Sequence, residues 1–83
     1  MAILVHPVST EKAVGMIDRL NVITYITDSR ATKGQIRKEF ESAFAVKVQS
    51  IRSLSTQKNT KKTFIKLATG YKASDVAVKL KLV

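Results

Sequence analysis

The sequence predicts an α+β fold, a sandwich in which helices pack on a mostly antiparallel sheet. Three segments repeat apolar residues at three- and four-residue spacing, which is typical of amphipathic helices. Four others are short and rich in β-branched residues, which is typical of strands. These seven segments follow one another along the chain as strand, helix, strand, helix, strand, strand, helix. With 83 residues, the chain has room for one domain, residues 1–83.

The first strand and first helix are predicted over the N-terminal quarter of the chain. Residues 3–6 form a short apolar run before Pro7, which lacks a backbone donor, so we expect a brief edge strand. Ser9 or Thr10 is the predicted cap of a helix that ends near Leu20. Its expected apolar face consists of Ala13, Met16, Ile17 and Leu20.

A second strand and a second helix follow. Residues 21–28 are β-branched or aromatic at nearly every position, as in a covered strand, and residues 28–30 make a turn. Thr32 and Gln35 have the spacing of a capping box at the start of a helix. The side of that helix expected to face the core contains Ile36, Phe40, Ala43 and Phe44.

The last third predicts a hairpin and a short helix. A strand runs from Val46 to Leu54, and its alternation slips between Val48 and Ile51, which predicts a bulge or a late start of the strand there. Residues 57–62 form a polar connection to a strand over residues 63–68. In that strand Ile65 and Leu67 share one face, and Phe64 and Lys66 share the other. The final helix opens at Ser74 and Asp75, with Val76, Ala77 and Leu80 facing inward.

The net charge indicates a polyanionic partner. Fifteen Lys and Arg against six Asp and Glu give +9, which disfavours compactness unless a partner neutralises it. Nucleic acid is favoured over a membrane surface, because no basic amphipathic helix with an aromatic face is present. No apolar run approaches the roughly 18 residues of a membrane span, so we expect no membrane insertion. Cysteine is absent, so a thiolate metal site is excluded.

Catalysis is not predicted. The one histidine, His6, precedes a proline in a terminal strand, and we expect it to be structural or to face RNA. The three glycines fit neither a dinucleotide-binding nor a phosphate-binding loop. Glu39 and Glu41 are two residues apart on a helix, so they do not face one another and are expected to be solvated. We therefore predict a protein that is not an enzyme, with no cofactor, no metal and no small-molecule substrate.

The positive charge is concentrated in the second half of the chain. Between Ser42 and Ser74 there is no acidic residue, which favours phosphate contact over an ordinary solvated face. The basic residues in this region are Lys47, Arg52, Lys58, Lys61, Lys62, Lys66 and Lys72. Of these, we predict that Lys58, Lys61, Lys62 and Lys66 bind RNA. With few aromatic residues, the protein should recognise backbone shape more than sequence.

A second basic cluster lies at the start of the second helix. Lys33, Arg37 and Lys38 stand where the helix dipole disfavours cations by about 0.3–1 kcal/mol each, and a bound phosphate would reverse that effect. We predict that all three contact RNA. An ion pair between Arg37 and Glu41, one turn apart, is the alternative.

Several motifs together resemble the large-subunit ribosomal protein L-twenty-three family over nearly the whole chain. They are residues 6–13 (HPVSTEKA), Asn21, residues 31–33 (ATK) with Ile36, residues 44–48 (FAVKV), Lys61-Lys62, and residues 70–73 (GYKA) with Asp75 and Ala77. The resemblance implies a four-stranded antiparallel sheet in an α–β plait (ferredoxin-like) order, plus a short C-terminal helix. It further implies a structural role in the cytoplasmic ribosome, with binding to large-subunit rRNA near the polypeptide exit tunnel.

The resemblance also implies site residues. The positions that match family RNA contacts are Ser9, Thr10, Lys12, Asn21, Lys33, Lys61 and Lys62. Glu11 matches an acidic residue that helps to anchor a ribosome-associated chaperone in bacterial members, and we group the acidic Asp18 with it as a partner-docking residue. Stabilisation of the helix dipole alone is the alternative for Glu11.

One departure from the bacterial pattern concerns the partners. The connection between the hairpin strands is short, which resembles the archaeal and eukaryotic form and makes tunnel lining doubtful. The absence of a long basic N-terminal tail favours the archaeal type. The partners implied are large-subunit rRNA, neighbouring ribosomal proteins, and the signal recognition particle, the translocon or other exit-site factors. A free-standing chromatin protein that packages duplex DNA is the alternative function.

Overall fold

A computed structural model describes residues 3–57 and 59–80 of the chain. The elements are β1 (Leu4–Pro7), α1 (Glu11–Leu20), β2 (Val22–Asp28), α2 (Lys33–Phe44), β3 (Val48–Gln57), β4 (Thr60–Leu67) and α3 (Ala73–Lys79). The four strands form one antiparallel sheet in the order β1-β2-β4-β3. The predicted α+β class and the predicted order of elements are confirmed, with β1 at one edge and β3 at the other.

Side-chain caps fix the starts of the two longer helices. Thr10 Oγ1 accepts a hydrogen bond from the Ala13 backbone N–H at the start of α1. At the start of α2, Thr32 accepts from the Gln35 N–H and the Gln35 side chain accepts from the Thr32 N–H. These three bonds satisfy backbone donors that a helix leaves unpaired at its start, so these short sequence signals determine the boundaries.

The hairpin is longer than the sequence predicted. β3 extends to Gln57 and β4 begins at Thr60, so the expected polar connection over residues 57–62 is wrong. The reason is that residues 60–62 pair with β2 as well as with β3, and this double ladder keeps polar residues extended. The predicted bulge is confirmed, because the register shifts between Val48 and Ser50.

The core lies mainly between one face of the sheet and the helices α2 and α3. The core includes Ile65 and Leu67 of β4 and Ile36 and Phe40 of α2. The final helix adds the predicted Val76 and Ala77, with Leu80 partly buried against the cluster. The expectation for Ala43 is wrong: it is exposed, since its single methyl in the last turn of α2 does not reach the core that Phe44 contacts.

The apolar face of α1 divides between two environments. Ala13 and Ile17 are buried, whereas Met16 is only half-buried and Leu20 is 53% exposed. The prediction of one inward face is therefore correct for half of its members. No helix in the described part of the chain is long and apolar enough to cross a membrane.

Candidate nucleic-acid interface

The strand alternation of β4 separates two kinds of side chain. Thr63, Ile65 and Leu67 are buried on the face that packs against α2 and α3, which we call the helix-covered face. The opposite face, which we call the outer face, carries the remaining alternate residues, Lys62, Phe64 and Lys66. The register places Arg52 of β3 directly across from Phe64. Because directly paired residues project from the same face of an antiparallel sheet, Arg52 joins these three on the outer face.

The outer face and α1 together enclose a groove of about 600 Å³, which we call the outer groove. Its basic lining residues are Lys12, Arg52, Lys62 and Lys66. Its larger apolar lining residues are Met16, Leu20, Val22, Leu54 and Phe64. The Lys62 Nζ lies 5.8 Å from the centroid of the Phe64 ring, a cation–π geometry. A single groove thus combines four cations with an aromatic ring.

The carboxylates that could neutralise this groove lie elsewhere. Among the described lining residues of the outer groove there is no acidic side chain. Within the described residues, the one salt bridge joins Asp28 Oδ2 to Arg30 Nη2 at 3.2 Å. Hydrogen bonds from Arg30 lower the pKa of the Asp28 carboxyl. Glu11 and Asp18 are seven residues apart, which places them on the same side of α1. At 100° per residue, that side points away from Met16, which lines the outer groove. The charged side chains that line the outer groove are therefore all positive among the described residues.

A second, shallower groove lies between the first turn of α2 and β3. It measures about 420 Å³ and is lined by Lys33, Gly34, Arg37, Gln49, Ser50 and Ile51. Arg37 Nη2 donates to the Gln49 carbonyl oxygen at 3.5 Å. The alternative ion pair between Arg37 and Glu41 is not formed. Glu41 Oε2 instead accepts from the Val48 backbone N–H at 2.8 Å, which also corrects the expectation that Glu41 is solvated.

Ser50 connects the two grooves. It lies on the edge strand β3 and lines both of them. Lys62 and Lys66 of the hairpin, and Lys33 and Arg37 at the start of α2, therefore line a single surface that wraps around the β3 edge. We call it the cationic surface. Its predicted members are Thr10, Lys12, Lys33, Arg37, Lys62 and Lys66.

The structure separates Lys61 from Lys62. Lys61 pairs with Thr27 of β2 and Ser55 of β3, and this register places it on the helix-covered side of the sheet. Its Nζ lies 3.5 Å from the Ala31 carbonyl oxygen. Adjacent residues of a strand point to opposite faces, so the predicted RNA-binding pair is divided between two surfaces.

Asn21 has an internal role. It adopts a left-handed conformation with φ of 59° as the C-cap of α1. Its side-chain Nδ2 donates to the Tyr71 carbonyl oxygen at 2.8 Å, and its Oδ1 accepts from the Ala73 N–H at 2.6 Å. These bonds join the end of α1 to the start of α3, and they occupy both ends of the amide that was predicted to contact RNA.

Two further predicted residues lie outside the two grooves, and one is not described. Ser9 and Lys38 are exposed but line neither groove, and Lys58 lies outside the described residues. Arg52 and Phe64 were not among the predicted site residues, although both line the outer groove. Strand alternation was the available signal for Phe64, since the sequence already placed it on the same face as Lys66.

The histidine and the acidic residues give no sign of a reaction centre. His6 is exposed, with Nδ1 3.1 Å from the Pro7 carbonyl oxygen. Within residues 3–57 and 59–80, no group of three or more His, Cys, Asp and Glu side chains has a geometry that could hold a metal ion. The arrangement that stands out chemically is the cationic surface.

Comparison with known proteins gives two agreeing results. Residues 2–81 match the family described as "Ribosomal protein L23". The chain is also 38% identical over 79 residues to "Large ribosomal subunit protein uL23" of Methanothermobacter thermautotrophicus, with 95% of this chain and 92% of that protein covered.

Proposed function

This chain belongs to the ribosomal protein L23 family, and we propose that, within the large ribosomal subunit, it binds large-subunit rRNA through the cationic surface near the polypeptide exit tunnel. Membership makes the chain a structural constituent of the large subunit, in a family of structural proteins rather than enzymes. The proposal adds the surface that holds the RNA and the position within the subunit.

The observation that carries this proposal is the continuity of positive charge around the β3 edge. Lys12, Arg52, Lys62 and Lys66 in the outer groove, and Lys33 and Arg37 in the second groove, form no salt bridge with the described carboxylates. Each phosphate that such a cation neutralises releases a counterion and favours binding. A surface of this kind recognises backbone shape, which is the principal mode for structured RNA.

We further propose that the opposite side of α1 is a docking site for exit-site factors. Glu11 and Asp18 are both exposed and share one side of the helix, away from the outer groove. The protein would then hold RNA on one surface and present another to the signal recognition particle, the translocon or other factors. Neighbouring large-subunit proteins are further proposed contacts.

A charge-reversal pair tests the RNA proposal. The double variant Lys62→Glu with Lys66→Glu should lower the affinity for a large-subunit rRNA fragment by at least roughly a hundredfold at matched salt. The control is Lys72→Glu with Lys79→Glu, which changes the net charge equally but lies outside both grooves. An equal loss in both double variants would contradict the proposed site, because only net charge would then matter.

A further inference from the structure

The outer groove has an unusual distribution of charged and apolar residues. β4 lies between β2 and β3, so Lys62, Phe64 and Lys66 occupy the centre of the outer face. Leu54, on the edge strand, and Leu20, at the end of α1, form the margins and are 49% and 53% exposed. Cations thus flank an aromatic ring at the centre, with exposed leucines at the rim.

This distribution disfavours a protein as the occupant. Protein–protein interfaces deplete lysine at their centre and place charged residues on the rim, the reverse of what the outer groove shows. Proteins that bind single-stranded nucleic acid combine cations that follow its backbone with aromatic rings on which bases stack, and the outer groove has both features. A duplex fits less well, because its base faces are already stacked and cannot contact the ring.

We propose that the outer groove binds an unpaired segment of RNA, with one base stacked on Phe64 and the adjoining phosphates held by Arg52, Lys62 and Lys66. This inference rests on the proposed function and assigns the class of RNA to the same site. The stacking base replaces the Lys62 ammonium, which now lies 5.8 Å from the ring centroid. Lys62 has a flexible stem, so the same ammonium moves to a phosphate.

The positions of these residues along the strands allow a base to contact Phe64 while the adjoining phosphates contact the cations. Lys62 and Lys66 stand two residues before and after Phe64 on β4, a spacing of roughly 7 Å on each side. Arg52 is directly across the ladder from Phe64. The ring is thus flanked by cations in three directions on one face. A base over the ring would have its own and its neighbouring phosphates within reach of long, rotatable side chains.

The test compares two RNA probes on the full chain. One is a short fluorescein-labelled oligoadenylate, and the other is a blunt RNA duplex of the same length. Phe64→Leu should weaken oligoadenylate binding roughly 5- to 150-fold, the range for loss of one base–aromatic stack. Duplex binding should change by less than about twofold. Phe64→Tyr, which keeps a ring, should retain oligoadenylate affinity.

Two controls keep the result interpretable. Leu54→Ala removes a large apolar side chain from the same groove without removing a ring, and oligoadenylate affinity should stay within about threefold of the wild-type value. Thermal unfolding followed by circular dichroism verifies that each variant is folded. Proportional losses for both probes in Phe64→Leu would show that the ring only supports the shape of the groove, and the proposal would be wrong.

Other outcomes would also overturn the inference. If Phe64→Leu leaves oligoadenylate binding unchanged while an acidic amphipathic peptide binds the wild type and is lost in Leu54→Ala, the groove is a protein site. The proposed function is tested separately with the rRNA fragment. A wild-type chain that binds the fragment while Phe64→Leu changes nothing would refute stacking alone, whereas a wild-type chain that does not bind the fragment would refute the proposed function.

Discussion

The two faces of β4 carry opposite properties although they are built from alternate residues of one strand. Ile65 and Leu67 are at most 1% exposed and belong to the same core cluster as residues of α2 and α3. Phe64 and Lys66, the residues on either side of Ile65, line the outer groove. The strand period of two thus lets neighbouring residues serve stability and the proposed RNA binding independently. Substitutions on the two faces should therefore affect different measurements.

The largest expected effect is a loss of stability from the covered face. Ile65→Ala should lower the free energy of unfolding by about 2–5 kcal/mol, because it removes buried methyl groups and leaves a cavity. Its neighbour Lys66→Ala should change that free energy by no more than about 0.5 kcal/mol. Urea unfolding of both variants measures the difference. Similar losses of unfolding free energy in the two variants would contradict the assignment of Ile65 and Lys66 to different faces.

The next effect contrasts two buried threonines. Thr63 Oγ1 lies 2.9 Å from Thr27 Oγ1 on the covered face, so Thr63→Val leaves a buried hydroxyl unpaired and should cost about 1–3 kcal/mol. Thr24, on the outer-face side of β2, has a buried hydroxyl with no hydrogen-bond partner. Thr24→Val should be neutral or stabilising by up to about 1 kcal/mol. Denaturant midpoints measure both, and a large loss in Thr24→Val would contradict the assignment.

A smaller effect separates Lys61 from Lys62 by salt dependence. Lys62→Gln should reduce the slope of log affinity against log salt concentration by about 1, the contribution of one phosphate contact. Lys61→Gln should leave the slope unchanged, because its ammonium lies beside the Ala31 carbonyl on the other side of the sheet. Titrations with the rRNA fragment at several salt concentrations measure the slopes. Equal reductions would show that both lysines contact phosphate.

The smallest effect concerns Glu11. Glu11→Ala removes an acidic residue from the first turn of α1 and should cost about 0.3–1 kcal/mol of stability through the helix dipole. Affinity for the rRNA fragment should not fall, since Glu11 is not among the groove lining residues. Binding of exit-site factors to assembled ribosomes that carry this variant should weaken. Unchanged factor binding in a co-sedimentation assay would leave only the capping role for Glu11.

Sequence reasoning succeeded where a local signal determines local structure. The caps at Thr10 and Thr32, the strand of residues 22–28 and the bulge after Val48 were all predicted from neighbouring residues. It failed at the hairpin, where polar residues 60–62 are held extended by pairing on both sides. A strand paired on both sides tolerates polar side chains that propensity alone assigns to a loop.

The sequence by itself determined the fold class, the order of elements, the family and the excess of positive charge, because each depends on periodicity, capping, motifs or composition. Only the tertiary structure decided which charges act together. Strand pairing joined Arg52 with Phe64 and opposed Lys61 to Lys62, and the folding of α3 against α1 occupied the Asn21 amide with internal hydrogen bonds. These relations depend on sheet register and on contacts between residues distant along the chain, which local sequence patterns do not specify.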